Sequence, residues 1–397
     1  MLFAKLNDLS IGGKGSYGIA ASAVERKADL PTYLRITDIF DDGTLNLSEL
    51  KSVDAPNSDK YILKPNDIVF ARTGGSTGRN YFYDGSDGVF VYAGFLIKFS
   101  IDPEKVNPKY VKYYCRSKQY NDWVQSFNTG STRGNINAQT FGNMEIPLPA
   151  RKQQDYLVSI LEPIDEKIKN NKQVNDNLQQ QAAALFESWF VNYDPWDGVQ
   201  PSEWENAPLG SFVEIKRGGS PRPIQDFLSD SGLRWLKISD VTSLSSPFVL
   251  EIKEHIKEEG LRKTVFLHAG ELVLSNSATP GIPKILDVDT CIHDGWLYFP
   301  KSELSKYYLY LFFKHIRKEL VALGNGSVFT NLKTDILKAF PATKADESTL
   351  KEFDALVTPL FDAMLNADRE NFKLAAMRDA LLPKLMSSEI DVSEVEL

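Results

Sequence analysis

Apolar positions in residues 151–191 and 349–386 recur at alternating steps of four and three. The first series is Leu157, Leu161, Ile164, Ile168, Asn171, Asn175, Leu178, Ala182, Leu185 and Trp189. Adding 196 to each position gives Phe353, Val357, Leu360, Met364, Ala367, Asn371, Leu374, Arg378, Leu381 and Leu385. This is a heptad seam held for more than four repeats, and it predicts two long helices that pair as an antiparallel coiled coil. Such a helix rises about 50 Å at ~1.5 Å per residue, long enough for a rod between globular parts. Pro163 and Pro359 lie inside the pattern, each removing a backbone hydrogen bond. The heptad phase survives them, which points to a kink or a short preceding turn rather than a break. Asn175 and Asn371 either fix the register or face solvent where the seam splays. Arg378 is the other departure in the second seam.

Residues 1–150 and 197–345 have a different rhythm. Short β-branched and aromatic runs, such as Asp67-Ile68-Val69-Phe70-Ala71 and Gly88-Val89-Phe90-Val91-Tyr92, alternate with Gly, Pro, Asn and Asp. One helix is predicted in each, from Pro108 to Phe127 and from Ser305 to Ala322, with Tyr110, Tyr113, Tyr114, Trp123, Tyr307, Tyr308, Leu311 and Phe312 as core. The expected class is α/β (α+β): globular segments 1–150 and 197–345 alternating with helical segments 151–196 and 346–397.

The chain also repeats itself. Leu34-Arg35-Ile36-Thr37-Asp38-Ile39 returns as Leu236-Lys237-Ile238-Ser239-Asp240-Val241, Asp67-Ile68-Val69-Phe70 as Glu271-Leu272-Val273-Leu274, and Gly94-Phe95-Leu96 as Gly295-Trp296-Leu297. These offsets are 202, 204 and 201, against 196 in the helices. An internal pseudo-two-fold repeat has two similar surfaces, and it suggests a ligand in two halves.

The net charge of −8 argues at first against nucleic acid. It is unevenly spread: +1 in 1–150, −2 in 151–196, zero in 197–345 and −7 in 346–397. The globular segments can therefore carry a basic face. No apolar run of about 18 residues predicts a membrane span, and the start of the chain lacks a signal peptide's apolar stretch, so a cytoplasmic protein is expected. Cys115 and Cys291 do not occupy matching positions, and no disulfide framework is expected.

Enzyme motifs are weak. No phosphate-loop pattern occurs, and Gly12-Gly13-Lys14-Gly15-Ser16 has the wrong spacing for one. Asn192-Tyr193-Asp194-Pro195-Trp196 lacks the second proline of amino-methyltransferases and is better taken as a helix exit. Glu-Ile-Lys at 214–216 and 251–253 has no Asp placed for a metal, and the four histidines form no close ligand pair. No catalytic residue, metal site or cofactor is expected.

What remains is binding. Three polar, glycine-containing loops recur in each copy. In the first they contribute Lys14, Ser16 and Tyr17; Arg72, Thr73, Ser76, Thr77, Arg79 and Asn80; and Ser131, Thr132, Arg133 and Asn135. In the second they contribute Lys216, Arg217, Ser220 and Arg222; Asn276, Ser277 and Thr279; and Asn325, Ser327, Thr330 and Asn331. Arg and Asn can pair with base edges, while Ser, Thr and backbone N–H groups hold phosphates. Any one loop alone is a turn; their recurrence at matching places in both copies shifts the balance toward a binding function.

The alternation of globular and helical segments resembles the specificity (S) subunit of type I restriction–modification systems. Ile146-Pro147-Leu148-Pro149, running through Gln153-Gln154, is similar to the family's entry to its central region. Leu185-Phe186-Glu187-Ser188-Trp189-Phe190-Val191-Asn192-Tyr193-Asp194-Pro195 is similar to its exit, and Leu381-Leu382-Pro383-Lys384-Leu385-Met386-Ser387-Ser388-Glu389-Ile390 to its C-terminal end. Phe340-Pro341 echoes the first entry, but Ala342-Thr343-Lys344 departs from it. The resemblance implies a non-catalytic reader of double-stranded DNA. Each globular segment would be a target recognition domain for one half of a bipartite, asymmetric site. The helices would set the unread spacer and dock two modification (methyltransferase) subunits, which carry S-adenosylmethionine chemistry. Motor-nuclease restriction subunits would join for cleavage, and no membrane is involved. A specificity subunit of a type II-like system and a coiled-coil protein scaffold are the alternatives.

Overall fold

Short apolar runs become strands where turn residues bound them, and the heptad stretches become helices. The computed structural model describes residues 2–127, 134–242, 244–324 and 332–387. Two compact units result: residues 1–166 with the chain from Ala375 onward, and residues 167–374.

The first unit begins with β1 (Phe3–Lys5), β2 (Ser16–Tyr17), β3 (Ala23–Val24), β4 (Thr32–Leu34) and β5 (Lys51–Val53). It continues with β6 (Asp67–Ala71), β7 (Asn80–Tyr83), β8 (Phe90–Tyr92) and β9 (Leu96–Ser100). They form two four-stranded sheets, ordered β2-β9-β6-β7 and β3-β5-β4-β8. Helices α1 (Pro108–Tyr114), α2 (Lys118–Gln125) and α3 (Ala138–Gly142) follow, and β10 (Glu145–Pro147) pairs with β1 before α4 (Arg151–Phe190). The single helix expected over 108–127 is two. Ser117 caps α2 by accepting from the Tyr120 N–H, a bond offered only if the chain leaves the helix there.

The second unit contains β11 (Glu205–Pro208), β12 (Val213–Arg217), β13 (Leu228–Ser229), β14 (Leu233–Leu236), α5 (Ser239–Thr242), β15 (Phe248–Val249) and β16 (His255–Ile256). It continues with β17 (Val265–Leu267), β18 (Leu272–Ser275), β19 (Pro283–Leu286), β20 (Thr290–Ile292) and β21 (Trp296–Ser302). Then come α6 (Lys306–Gly324), α7 (Thr334–Lys338), β22 (Pro341–Lys344) and α8 (Glu347–Met386). Its two five-stranded sheets run β12-β21-β18-β19-β15 and β13-β16-β14-β20-β17. β22 pairs with β11 as β10 pairs with β1. The departure at Ala342-Thr343-Lys344 therefore serves this pairing: Ala342 is buried, Thr343 donates to Asn206, and Lys344 forms ion pairs with Glu205 and Glu303.

The strands β6 and β18 are covered on both faces, which explains why their residues do not alternate. Ile68 and Phe70 of β6 face a core shared with α1, α2 and α3, while Val69 and Ala71 face the second sheet. Leu272 and Leu274 of β18 face α6, while Val273 faces the second sheet. The aromatic stripes are core as expected: Tyr110, Tyr113, Tyr114, Tyr307, Tyr308, Leu311 and Phe312 are buried, with Trp123 packed at the edge.

Bonding confirms much of the repeat. β4 runs parallel to β8 and β14 to β20. Asp38 caps the Arg35 N–H and Asp240 the Lys237 N–H, so the repeated hexapeptide is a strand followed by a carboxylate-closed turn. One correspondence shifts. Leu96 lies opposite Ala71, and Trp296 lies opposite Ser275. Trp296 therefore matches Leu96, and Gly295 matches Phe95; the shared Gly-aromatic-Leu string is one residue out of register.

α4 runs through Pro163 without interruption. Asn171 and Asn175 are buried, so the solvent alternative at Asn175 is overturned. Asn171 Nδ2 donates to Asn371 Oδ1 at 2.9 Å, while Asn175 Nδ2 donates to Asp368 Oδ1 at 2.7 Å. Asn371 thus partners Asn171 rather than Asn175. Arg378, out of place in an apolar seam, pairs with Asp165 at 3.2 Å in the first unit.

Candidate nucleic-acid interface

A close strand crossing builds the same platform in each unit. Tyr17 lies opposite Ile97, and Arg217 opposite Leu297. The following Gly18 N–H donates to Leu96 O at 3.2 Å, and Gly218 N–H to Trp296 O at 2.9 Å. One loop onward, Arg72 N–H donates to Phe95 O at 3.1 Å, and Asn276 N–H to Gly295 O at 2.9 Å. Arg72 O accepts from Ile136 N–H at 2.9 Å, and Asn276 O from Leu332 N–H at 2.7 Å. The bonds gather the loop after the first strand of the sheet, the exit of the doubly covered strand and the turn before β9 or β21. They also fasten the residues that follow the third loop. Ser131, Thr132, Arg133, Asn325, Ser327, Thr330 and Asn331 lie outside the described residues. By register Tyr17 matches Arg217 and Ser16 matches Lys216.

In the first unit the candidate residues separate into supports and presenting groups. Asn80 is 7% exposed, and its Nδ2 donates to Cys115 O at 3.0 Å, so it braces the loop from inside. Thr77 Oγ1 donates to Gly74 O and Gly134 O, and Ser76 O accepts from the Arg79 N–H. Arg79 is held by Asp41 at 2.7 Å and by Ile39 O at 3.2 Å. Thr73 bridges to Asn135, which is exposed, as are Lys14 and Ser16. Arg72 is different. Its guanidinium lies 5.3 Å from the Tyr17 ring centre and 5.8 Å from that of Phe95. Among the described residues no hydrogen bond or ion pair reaches its head, and its Nε is buried without a partner. Tyr17 and Phe95 are 44% and 55% exposed, and the Tyr17 hydroxyl accepts from Ala138 N–H at 3.1 Å.

The second unit centres on Asp294. Ser220 Oγ donates to it at 2.7 Å, Arg222 at 3.2 Å, and Arg217 lies at 3.9 Å. Burial opposes its charge, but Ser220, Arg217 and Arg222 outweigh burial and hold the carboxyl below its ordinary range. Asn276 is 3% exposed and donates to Asp294 O at 3.4 Å, so it too is a brace. Lys216 is exposed and pairs with Glu214 at 2.9 Å. Ser277 and Thr279 shape the next turn, where Ala278 has φ 57° and Thr279 O accepts from Ser275 Oγ. Burial lowers the His293 pKa, and its Nδ1 accepts from the Gly295 N–H. Sequence reasoning missed Gly18, Phe95 and Asp294. The adjacent glycines at Gly94 and Gly295 were the available signal, since a residue beside a tight turn is displayed to solvent.

The second unit also holds an unusual cation. Lys284 on β19 is 3% exposed and donates to the carbonyls of Leu244 and Ser246. Burial, helped by Lys314 and Arg317 and opposed by Asp368, pushes its pKa down to about 7. Between this value and the ordinary 10.5 the unfolded chain binds the extra proton. This group therefore adds stability as pH rises across that window, by up to about 1.4 kcal/mol per pH unit. Denaturant unfolding between pH 7 and 10 is expected to show this rise, and Lys284→Met to remove it. Equal slopes in the two proteins would refute the assignment.

Among the described residues no group of three or more His, Cys, Asp or Glu can hold a metal ion, and no helix is long and apolar enough to cross a membrane. A family model described as "Type I restriction modification DNA specificity domain" matches residues 26–180 and again 201–343. The chain is 24% identical over 314 residues to the type I restriction enzyme MjaIX specificity subunit of Methanocaldococcus jannaschii, covering 74% of this chain and 72% of that one. It is 23% identical to the HindI specificity subunit of Haemophilus influenzae, covering 94% of this chain and 98% of that one. Its fold is similar to the crystal structure of a type I restriction–modification S subunit from M. genitalium, with TM-score 0.57 and 16% identity, covering 97% of this chain and 95% of that one.

Proposed function

We infer that this chain, which belongs to the family of type I restriction modification DNA specificity domains, serves as the DNA-reading specificity subunit of a type I system, with each unit reading one half of a bipartite, asymmetric duplex site. The observation that carries this reading is the repeated platform: equivalent backbone bonds hold different residues, Tyr17, Arg72 and Phe95 against Arg217, the inward-turned Asn276 and Gly295. Equal scaffolds with unequal heads suit two unequal half-sites. A protein scaffold would have no need to vary cations at matching places.

Methyl transfer and cleavage belong, in this reading, to two modification subunits and to motor-nuclease subunits. The helices dock the modification subunits and set the unread spacer. The polar contacts Asp165–Arg378, Asn171–Asn371 and Asn175–Asp368 support an antiparallel pairing of α4 with α8. The test uses the full chain with its modification partners and maps methylated sites in cells. A bipartite motif is expected. Inserting one heptad in each of α4 and α8, between Asn171 and Leu178 and between Met364 and Asn371, lengthens each helix by about 10 Å. It is expected to lengthen the spacer by about three base pairs or to abolish modification. Modified sites with the original spacer would refute the ruler.

A further inference from the structure

Four described arginines stand at the two platforms, and three are engaged by carboxylates: Arg79 by Asp41, and Arg217 and Arg222 by Asp294. Arg72 is engaged by rings instead, Tyr17 on one strand and Phe95 in the turn before β9. Its backbone is fixed at both N–H and C=O, and the Tyr17 ring is itself pinned through its hydroxyl. Among the described residues the second platform has no equivalent cage, since Arg217, Asn276 and Gly295 occupy these three places. An arginine within cation–π distance of two aromatic rings keeps its charge and loses freedom of movement, so less entropy remains to be lost on binding. With Nε buried, only the two terminal amino groups are available to a ligand. Two parallel N–H donors in one plane match O6 and N7 on the major-groove edge of guanine.

We propose that Arg72, held in place by Tyr17 and Phe95, recognises a guanine in the half-site of the first unit. The proposal rests on the DNA-reading function inferred above and adds the base and the residue. Arg72 is the specificity-determining group, while Tyr17 and Phe95 are positioning residues. At the second platform Asp294 engages Arg217 and Arg222, so neither of these two arginines offers such a free donor pair.

The experiment selects bound sequences from a randomised duplex library, using the full chain assembled with its modification partners. Wild type, Arg72→Lys, Arg72→Ala and Phe95→Ala are compared at several salt concentrations. Wild type is expected to select a bipartite motif with a required guanine in one half. Both Arg72 variants should lose preference at that one position by about 5- to 150-fold, leaving the other half-site unchanged. Lysine should fail as alanine does, because an ammonium cannot make the paired contact. Phe95→Ala should relax the same position while keeping the charge. A phosphate contact behaves otherwise: affinity falls uniformly over all sequences, the salt slope drops by about one, and lysine restores both. That outcome, or an unchanged motif in Arg72→Ala, overturns the proposal. No bipartite motif from wild type would instead overturn the DNA-reading function.

Discussion

Asp165→Ala is expected to destabilise the first unit by about 3–5 kcal/mol, the cost of removing one partner from a buried ion cluster. Asp165 on α4 meets Arg116 at 2.8 Å, Lys112 at 3.0 Å and Arg378 at 3.2 Å, and it accepts the Tyr113 hydroxyl at 3.0 Å. All four charged groups are between 14% and 17% exposed. Burial alone would raise the carboxyl's pKa, but Arg116, Lys112 and Arg378 outweigh it and hold the group well below the usual range. Without the carboxylate, three cations remain together with little access to water. Arg378→Ala should cost less, because Asp165 keeps two partners. A depressed folded pKa stabilises above the ordinary value of 3.8 and loses that stabilisation as pH falls below it. Wild type should therefore weaken below about pH 4 in a way that Asp165→Asn does not. Denaturant unfolding of the full chain, followed through both units, checks each point. A midpoint for Asp165→Ala equal to wild type would show that the cluster contributes no net stability.

Much of the helical architecture was legible because it is local and periodic. The heptad seam marked both helices to within a few residues, and the step of 196 aligned them. Arg378 stood out in the seam, but its partner could not be foreseen. Asp165 lies 213 positions away, and no period links the two. At the matching places the second unit carries Phe361 for Asp165 and Ala182 for Arg378, with Phe361 packed 5.4 Å from Tyr310. The same junction is thus ionic in one half and apolar in the other, so similarity between the copies could not supply the contact.

The platforms were half legible. Composition singled out polar, glycine-rich loops, and their recurrence showed that they belong together. Composition does not show where a side chain points. Asn80 and Asn276 carry the right chemistry and turn inward, because each satisfies a carbonyl next to its loop. Arg79 has the same charge as Arg72, but Asp41, 38 positions away, engages it. The repeated string aligned Phe95 with Trp296, and only the strand register moves its match to Gly295. Such distinctions depend on long-range pairing, which a string of residue types does not encode locally.

Gly18→Ala and Gly218→Ala are each expected to cost about 3 kcal/mol or more, as overpacking against an immovable backbone does. A Cβ on Gly18 would stand 2.3 Å from the carbonyl oxygens of Tyr92 and Ala93. On Gly218 it would stand 2.3 Å from that of His293 and 2.9 Å from that of Ile292. These obstacles are backbone atoms in or beside β8 and β20, so no side-chain rotation relieves them. Neither glycine has a left-handed φ; the need is for close approach alone. The strands would have to separate, losing the bonds from Gly18 N–H to Leu96 O and from Ile19 N–H to Tyr92 O. That movement displaces Tyr17, one wall of the Arg72 cage. Gly18→Ala should therefore disturb recognition of one half-site and Gly218→Ala recognition of the other, each leaving its counterpart intact. Sequence selection by the assembled complex, together with proteolysis of each unit, checks this. Loss of both half-sites from a single glycine change would mean that the two platforms do not fold and read independently.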